Sequence, residues 1–287
     1  MEGLFSFFLE SSFLVLFLFG EKLMGQKLHF VTALLVFIGS WASGYFILAT
    51  NAWMQHPVGY EILENGQYVL ENFSALFSNP WLLPAFLHNQ MASLVTSSFV
   101  VASIGAFYIL GKTNVEYGKL FLKTGVIFGL VSSLLVAFPT GGWNAKNVAK
   151  FQPAAFATME GIFETEHAGA EIVLIGQPNM VEKKLDNKIA VSNILSFLTY
   201  QDWDRQILGM DKFTKDELLD NIPALYYSYH IMVGLGTIFI GMMSLAVFFL
   251  CREKLYQFKP LLWGIMFLAP FAYVANITGW YVAELGR

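Results

Sequence analysis

Long apolar stretches separated by short polar turns make up most of this chain. A helix needs about 20 apolar residues to cross the hydrocarbon core of a bilayer, and six stretches are long and apolar enough to qualify. They lie at 3–20, 29–50, 86–110, 119–138, 223–250 and 260–283. Backbone polar groups inside a membrane must find partners within the segment, which favours helices. The pattern predicts an all-α, polytopic transmembrane helical bundle with six spanning helices.

One long polar connection separates the fourth stretch from the fifth. It divides the chain into a four-helix membrane region, a loop and a two-helix membrane region, at 1–138, 139–222 and 223–287. Aromatic residues in the loop, Trp143 and Phe156 among them, argue against full disorder. Thr214 with Glu217 three residues later is a helix-capping pattern, so we expect a short amphipathic helix over Lys212–Leu219.

Composition agrees with a membrane protein and excludes several other classes. The chain is 56% hydrophobic and only 13% charged, more apolar than one soluble core can hide. It has 17 Lys and Arg against 21 Asp and Glu, so there is no basic surplus for nucleic acid. Its single cysteine, Cys251, excludes a disulfide framework within the chain.

The distribution of basic residues predicts the orientation. The turns at 21–28, 111–118 and 251–259 carry lysine or arginine, whereas the connection at 51–85 has neither and contains three glutamates. Basic turns stay in the cytoplasm. We therefore expect the N-terminus and the loop at 139–222 to be extracytoplasmic.

Ionisable residues within spans are costly and are candidates for function. Glu2 and Glu10 are eight residues apart, which puts them near one face of the first helix. Ser43 and Asn51 have the same spacing on the second helix, so two polar stripes can face each other and conduct protons. The alternative stays open that Glu2 is an interfacial charge and that the hydroxyls bond backbone carbonyls.

His88 and Met232 are predicted to lie at the same membrane depth, near the outer surface. A His/Met pair is an axial ligand set of low-spin haem, although an interfacial histidine and a methionine that fills the core are the ordinary interpretations. His230 and Met232 point about 200° apart on a helix, so both cannot face one haem. Glu284 and Arg287 can form a surface pair, and the glycine-rich turn at 139–143 lacks the setting of a phosphate site.

Four segments carry a close resemblance to a known family. They are EGLFSFFLESSF at 2–13, WASGYFILATNAWMQHPVG at 41–59, His88 with HIMVG at 230–234, and GWYVAELGR at 279–287. In sequence and order they resemble subunit I of the cytochrome bd quinol oxidases, which are bacterial terminal oxidases. The resemblance extends over nearly the whole chain.

The resemblance implies a set of cofactor residues. His88 and Met232 would ligate the low-spin haem b, and Glu284 would ligate the high-spin haem b. Trp280 and Arg287 would also belong to the cofactor-binding residues, and a further haem, d or b, would complete the oxygen site. The residues near that site and along the proton path would be Glu2, Glu10, Ser11, Ser43 and Asn51.

The loop and the reaction follow from the same resemblance. FQPAAFATMEGIFETE at 151–166 matches the family's quinol-loop signature, with Glu160 at the acidic position associated with quinol oxidation. Glu2, Glu10 and Glu160 are thus the expected catalytic carboxylates. Quinol would be oxidised at the outer face, and dioxygen would be reduced to water with generation of a proton motive force. The expected partners are a second membrane subunit, quinol, dioxygen and the bacterial cell membrane.

The chain departs from the family pattern in several ways. Its first residues correspond to the family's third membrane helix, so we expect a truncated or split subunit that lacks one haem-ligating histidine. Ala155 stands where the family usually has lysine, and His230 where it usually has arginine. Two alternatives are a proton-coupled transporter without haem and a structural membrane subunit.

Overall fold

The computed structural model describes residues 2–165 and 169–286, with side chains from Ser6 onward. The helices are α1 (Glu2–Phe19), α2 (Gln26–Gln55), α3 (Phe73–Phe77), α4 (Leu82–Leu110), α5 (Val115–Leu135), α6 (Gly142–Phe151), α7 (Pro153–Glu160), α8 (Ile194–Tyr200), α9 (Ile222–Cys251) and α10 (Lys259–Leu285). The strands are β1 (Tyr60–Ile62), β2 (Tyr68–Leu70), β3 (Ile172–Asn179) and β4 (Lys184–Val191).

Within the described residues, five helical stretches are long and apolar enough to cross a membrane. They are α2, α4, the run from α5 through α6, α9 and α10. Helix α1 forms where the first span was expected, but its part from Ser6 to Phe19 is a shorter apolar helix. The helical membrane fold is therefore confirmed, and the crossing by α1 stays a prediction.

The chain forms two compact units that divide after Gln90. In the first unit, α1 packs on α2 at Gly39, where an added Cβ would lie 3.0 Å from the backbone nitrogen of Glu10. At the other end of this pair, Nε2 of His29 lies 2.8 Å from the carbonyl oxygen of Phe17. These two contacts define an antiparallel helix pair.

The core of the second unit lies among α4, α5, α9 and α10. Phe99 on α4 and Phe239 on α9 are buried, with ring centroids 4.8 Å apart. Asn276 on α10 donates a hydrogen bond of 2.6 Å from Nδ2 to Oγ1 of Thr96 on α4. Such side-chain bonds help to hold helices together where lipid gives no hydrophobic driving force.

The fourth spanning helix continues past its expected end at residue 138. The turn Val136–Gly141 is π-helical and contains Pro139, and α6 follows it directly to Phe151. Proline has no N–H and clashes with an ordinary helical turn. The wider π turn accommodates this residue, and Oγ1 of Thr140 donates to the carbonyl of Leu135 at 3.0 Å.

The strands show that the all-α description is incomplete. β1 pairs with β2 and β3 pairs with β4, each as an antiparallel hairpin in a polar connection. These pairings depend on turns rather than on the membrane pattern. The second hairpin has bulges between Val173 and Gln177, which bend a strand locally.

The expected helix at Lys212–Leu219 is wrong. The capping contact does form, because the backbone N–H and Oγ1 of Thr214 both donate to Oε2 of Glu217, at 2.8 Å and 2.9 Å. The contact closes a single turn, in which the N–H groups of Glu217 and Leu218 bond to the carbonyl of Thr214. Helix α9 starts separately at Ile222, with Asn221 as its cap.

We expect Gly125→Ala to destabilise the second unit. A Cβ at Gly125 on α5 would lie 2.6 Å from the backbone nitrogen of Ala102 on α4, so the helices must separate. Overpacking of this kind costs about 1–3 kcal/mol of the free energy of unfolding. The apparent melting temperature in detergent measures the loss. Gly241→Ala on α9 is the control, because nothing lies within 4 Å of its added Cβ; equal melting of both variants would contradict the prediction.

Candidate functional site

Glu160 is the last residue of α7 and is buried. Helix α7 begins with Pro153 at its first turn and is followed by Gly161, whose φ of +71° reverses the chain. The N–H of Ile162 then bonds back to the carbonyl of Ala157 at 2.9 Å. The helix end turns the Glu160 side chain into the protein, where the residue is only 2% exposed.

Tyr229 on α9 holds one oxygen of this carboxyl group. Its hydroxyl donates to Oε1 of Glu160 at 2.6 Å, whereas Oε2 is buried without a hydrogen-bond partner among the described residues. Burial raises the pKa of Glu160 from 4.5 to about 7, and the bond from Tyr229 partly opposes this. A carboxyl group with that pKa is suited to accept and release protons near neutral pH.

Tyr226 closes the space beside Glu160. It is 1% exposed, and its hydroxyl has no hydrogen-bond partner among the described residues. An added Cβ at Gly161 would lie 2.7 Å from Cε2 of Tyr226, and one at Gly176 of β3 would lie 2.8 Å from its hydroxyl. The absence of a side chain at both glycines therefore lets α9 and β3 approach α7. This corner, where α7, α9 and β3 meet, contains two buried oxygens with unused hydrogen-bonding capacity, Oε2 of Glu160 and the hydroxyl of Tyr226.

His230 and Met232 point to different parts of the second unit, as their spacing predicts. Nδ1 of His230 lies 2.9 Å from the carbonyl oxygen of Tyr226, and Nε2 lies 3.2 Å from that of Val173 on β3. The thioether sulfur of Met232 faces α10, 3.0 Å from the position of a Cβ at Gly279. His230 thus joins α9 to the hairpin, and Met232 is directed at the helix that carries Trp280.

The expected haem residues fit their roles by donor chemistry. Thioether, imidazole and carboxylate are all ligands that haem iron accepts, and glycine at 279 leaves space beside the Met232 sulfur. Trp280 and Glu284 are four residues apart and exposed on α10, so they share one face of that helix. His88 lies partly buried on α4 in the first unit, and Arg287 lies outside the described residues.

A cluster of three or more His, Cys, Asp or Glu side chains does not occur in the part of the chain that the structure describes. This finding does not conflict with haem, because the porphyrin supplies four of the iron ligands and the protein needs to supply one or two.

The expected proton-path residues lie on the antiparallel pair α1 and α2. Glu10 is half-buried against Gly39, and Ser43 follows one turn further along α2. Asn51 is 8% exposed near the end of α2. Ser11 Oγ donates to the carbonyl of Phe8 at 3.5 Å. This is a bond from a hydroxyl to a backbone carbonyl, as in the alternative to proton conduction. The side chain of Glu2 lies outside the described part, so the facing of the two stripes stays a prediction.

Sequence reasoning selected Glu160 as a candidate but missed the residues that surround it. Tyr226 and Tyr229 belong to the run YYSY at 226–229, which places three tyrosines at the polar end of an otherwise apolar helix. A phenol at such a position often seeks a polar partner, and this was the available signal. Gly161 and Gly176 gave no signal, because their role depends on contacts with distant residues.

The fold and the site define a class of protein. The chain is a polytopic helical membrane protein in which the loop at 139–222 holds a buried carboxyl group against the spanning helix α9. The family model described as cytochrome bd terminal oxidase subunit I matches residues 1–287. The chain therefore belongs to this family.

Known relatives agree with this assignment. The chain is 32% identical to cytochrome bd ubiquinol oxidase subunit 1 of Bacillus subtilis, and the match covers 100% of this chain and 63% of the relative. It is 24% identical to cytochrome bd-II ubiquinol oxidase subunit 1 of Escherichia coli, over 100% of this chain and 68% of that protein. The structure of bd oxidase from Geobacillus thermodenitrificans matches with a TM-score of 0.91 and 28% identity, covering 100% of this chain and 65% of that one. The chain thus spans about two thirds of the relatives' length.

The structure gives a reason for the small residue at 155. Ala155 is 4% exposed, and its Cβ lies 3.7 Å from the position of a Cβ at Gly286, just past the end of α10. A lysine in this place would have to displace the end of α10 or turn away from it. The alanine therefore matches the packing of α7 on α10 in this chain.

We expect Glu160 to make the protein less stable as the pH rises. The folded protein binds its proton up to about pH 7, whereas the free side chain loses it near 4.5. Stability is therefore fully present below 4.5 and is lost as the pH rises through 7, by about 3 kcal/mol in all. Melting temperatures at about pH 5 and about pH 8 measure the loss.

In Glu160→Gln the pH-dependent fall in melting temperature should shrink by the contribution of this one group. Glu164→Gln removes an exposed carboxyl four residues away and is the matched control. If Glu160→Gln and the wild type lose the same stability between the two pH values, the carboxyl group does not titrate as expected.

Proposed function

We propose that this chain is the haem-bearing part of a terminal oxidase that oxidises quinol at Glu160 and reduces dioxygen to water. Membership in the cytochrome bd subunit I family supports the oxidase, and a transporter or a purely structural subunit has no comparable support. The observation that carries the quinol step is the burial of Glu160, with one carboxyl oxygen bonded to Tyr229 and the other unpartnered among the described residues.

Oxidation of a quinol to a quinone releases two protons and two electrons. Oε2 of Glu160, buried and unpartnered among the described residues, would accept a proton from a quinol hydroxyl, since about half of the carboxyl groups are ionised near neutral pH. The buried setting excludes bulk water, which strengthens the hydrogen bond to the substrate. The proton then leaves to the extracytoplasmic side.

The electrons need acceptors that protein side chains do not provide. Haem, when bound, supplies one-electron chemistry and a site for dioxygen. His88 and Met232 would hold the low-spin haem b, Glu284 the high-spin haem b, and Trp280 and Arg287 would complete the cofactor surroundings. The third haem, d or b, is expected to share the oxygen site with the high-spin haem.

Dioxygen reduction consumes four protons for each molecule of dioxygen. Glu2 and Glu10 are proposed to carry them, with Ser11, Ser43 and Asn51 as hydrogen-bonding partners along α1 and α2. Uptake from the cytoplasm and release outside would generate a proton motive force. The chain would act in the bacterial cytoplasmic membrane with a second membrane subunit, its N-terminus and polar loop outside.

Loss of either residue proposed to hold the low-spin haem b should abolish its signal. We expect His88→Ala and Met232→Leu each to remove the sharp haem b band from the reduced-minus-oxidised visible spectrum of membranes that contain the protein. Met242→Leu makes the same side-chain change ten residues further along α9 and should leave the band intact. A normal band in Met232→Leu would contradict the ligand assignment.

Glu160→Gln should slow quinol oxidation by about 100-fold or more, the usual contribution of a positioned general base. Dioxygen uptake with quinol measures this loss, and uptake with an artificial donor that transfers electrons directly to haem should be unchanged. Glu164→Gln is the control in the same loop. A wild-type quinol rate in Glu160→Gln would overturn the assignment of Glu160.

A further inference from the structure

We propose that Tyr229 is a positioning residue for Glu160, which fixes Oε2 as the oxygen that accepts the quinol proton. This inference rests on the proposed function and adds a residue to which the family resemblance gives no role. Tyr229 acts through Glu160, since its hydroxyl donates to the carboxyl group.

The two oxygens of a carboxylate are chemically equivalent until the protein distinguishes them. Tyr229 donates to Oε1 at 2.6 Å, the length expected for a hydroxyl bonded to an ionised carboxyl oxygen. Oε2 is buried beside it and unpartnered among the described residues. The bond therefore sets the rotation of the carboxyl group and leaves one defined oxygen with free lone pairs.

The same bond favours the ionised form of Glu160. A phenol can donate to a carboxylate but gains less from a protonated acid, so the bond from Tyr229 keeps the pKa lower than burial alone would make it. The result, about 7, leaves enough base at neutral pH to take up a proton. Without the phenol, a smaller fraction of the Glu160 carboxyl groups would be ionised at neutral pH.

The side chains that face Glu160 make Tyr229 the relevant partner. Tyr226, also on α9, is a second titratable group beside Glu160. The titratable ring of His230 stacks on that of Tyr226, with ring centroids 3.9 Å apart. The strands β3 and β4 reach this corner through Gly176 and Leu185, and neither side chain titrates. Among the described residues, the hydroxyl of Tyr229 is the donor that Glu160 has.

Tyr229→Phe in the assembled oxidase tests the inference. Loss of one charge-assisted hydrogen bond should raise the pKa of Glu160 by about one unit. The ionised fraction at neutral pH then falls from about a half to about a tenth, so quinol oxidation should fall about fivefold near pH 7 and return close to the wild-type rate near pH 9. Tyr227→Phe removes an exposed phenol from the same turn and should leave the pH profile unchanged.

The pH titration of the Glu160 carboxyl band in the infrared is a direct readout that needs no turnover. The band is assigned by its absence in Glu160→Gln. It should titrate about one unit higher in Tyr229→Phe, and lower when 3-fluorotyrosine, a stronger donor of nearly the same size, is placed at position 229. The fluorinated variant keeps the test valid if Tyr229→Phe fails to fold.

The outcomes separate this inference from the proposed function. If the carboxyl band titrates at the wild-type pH in Tyr229→Phe and in the fluorinated variant, the positioning role is overturned, whatever the quinol rate. A loss of rate in Tyr229→Phe that is the same at every pH would also overturn it, because it indicates a structural role. Failure of the proposed function appears in a different variant, as wild-type quinol oxidation by Glu160→Gln.

Discussion

The free-energy cost of removing polar groups from water governs this structure more than any other interaction. In a bilayer core each unpaired backbone group costs several kcal/mol, so the apolar stretches form helices whose backbone bonds are internal. The same cost applies to side chains. Thr96 and Asn276 bond to each other between α4 and α10, and the hydroxyl of Thr140 bonds to a carbonyl beside the π turn. Glu160 lies outside the spans, but its burial has the same kind of free-energy cost. That cost disfavours the ionised carboxylate and raises the pKa of Glu160.

That penalty connects stability to the proposed chemistry. A carboxyl group in water is ionised at neutral pH and has little affinity for a proton, whereas full burial without a hydrogen-bond donor would leave it protonated. Glu160 lies between these limits because burial and the bond from Tyr229 act in opposite directions. The corner around it depends on close packing, since Gly161 and Gly176 leave space for Tyr226 that any side chain would fill. A proton acceptor is thus maintained at the expense of stability at neutral pH.

Local patterns in the sequence predicted those features that depend on nearby residues. Apolar length predicted the helices, because a span needs only enough apolar residues in succession. Helical periodicity predicted that His230 and Met232 point apart, and the contacts with Val173 and Gly279 agree. The Thr214–Glu217 pattern correctly indicated a capping contact, but it could not show that the contact closes a single turn. The π turn at Pro139 was missed because proline usually ends a helix.

The sequence by itself determined the membrane fold, the family and the identity of the candidate residues, since all of these follow from composition and from motifs of neighbouring residues. Only the tertiary structure decided how Glu160 is held. Its partner Tyr229 is 69 residues away in the chain, and no local pattern specifies which distant hydroxyl will meet a buried carboxyl group. The hairpin β3–β4 likewise acquires its place from contacts with α9. Burial, and with it the pKa, is a property of packed elements, so it exists only once the chain has folded.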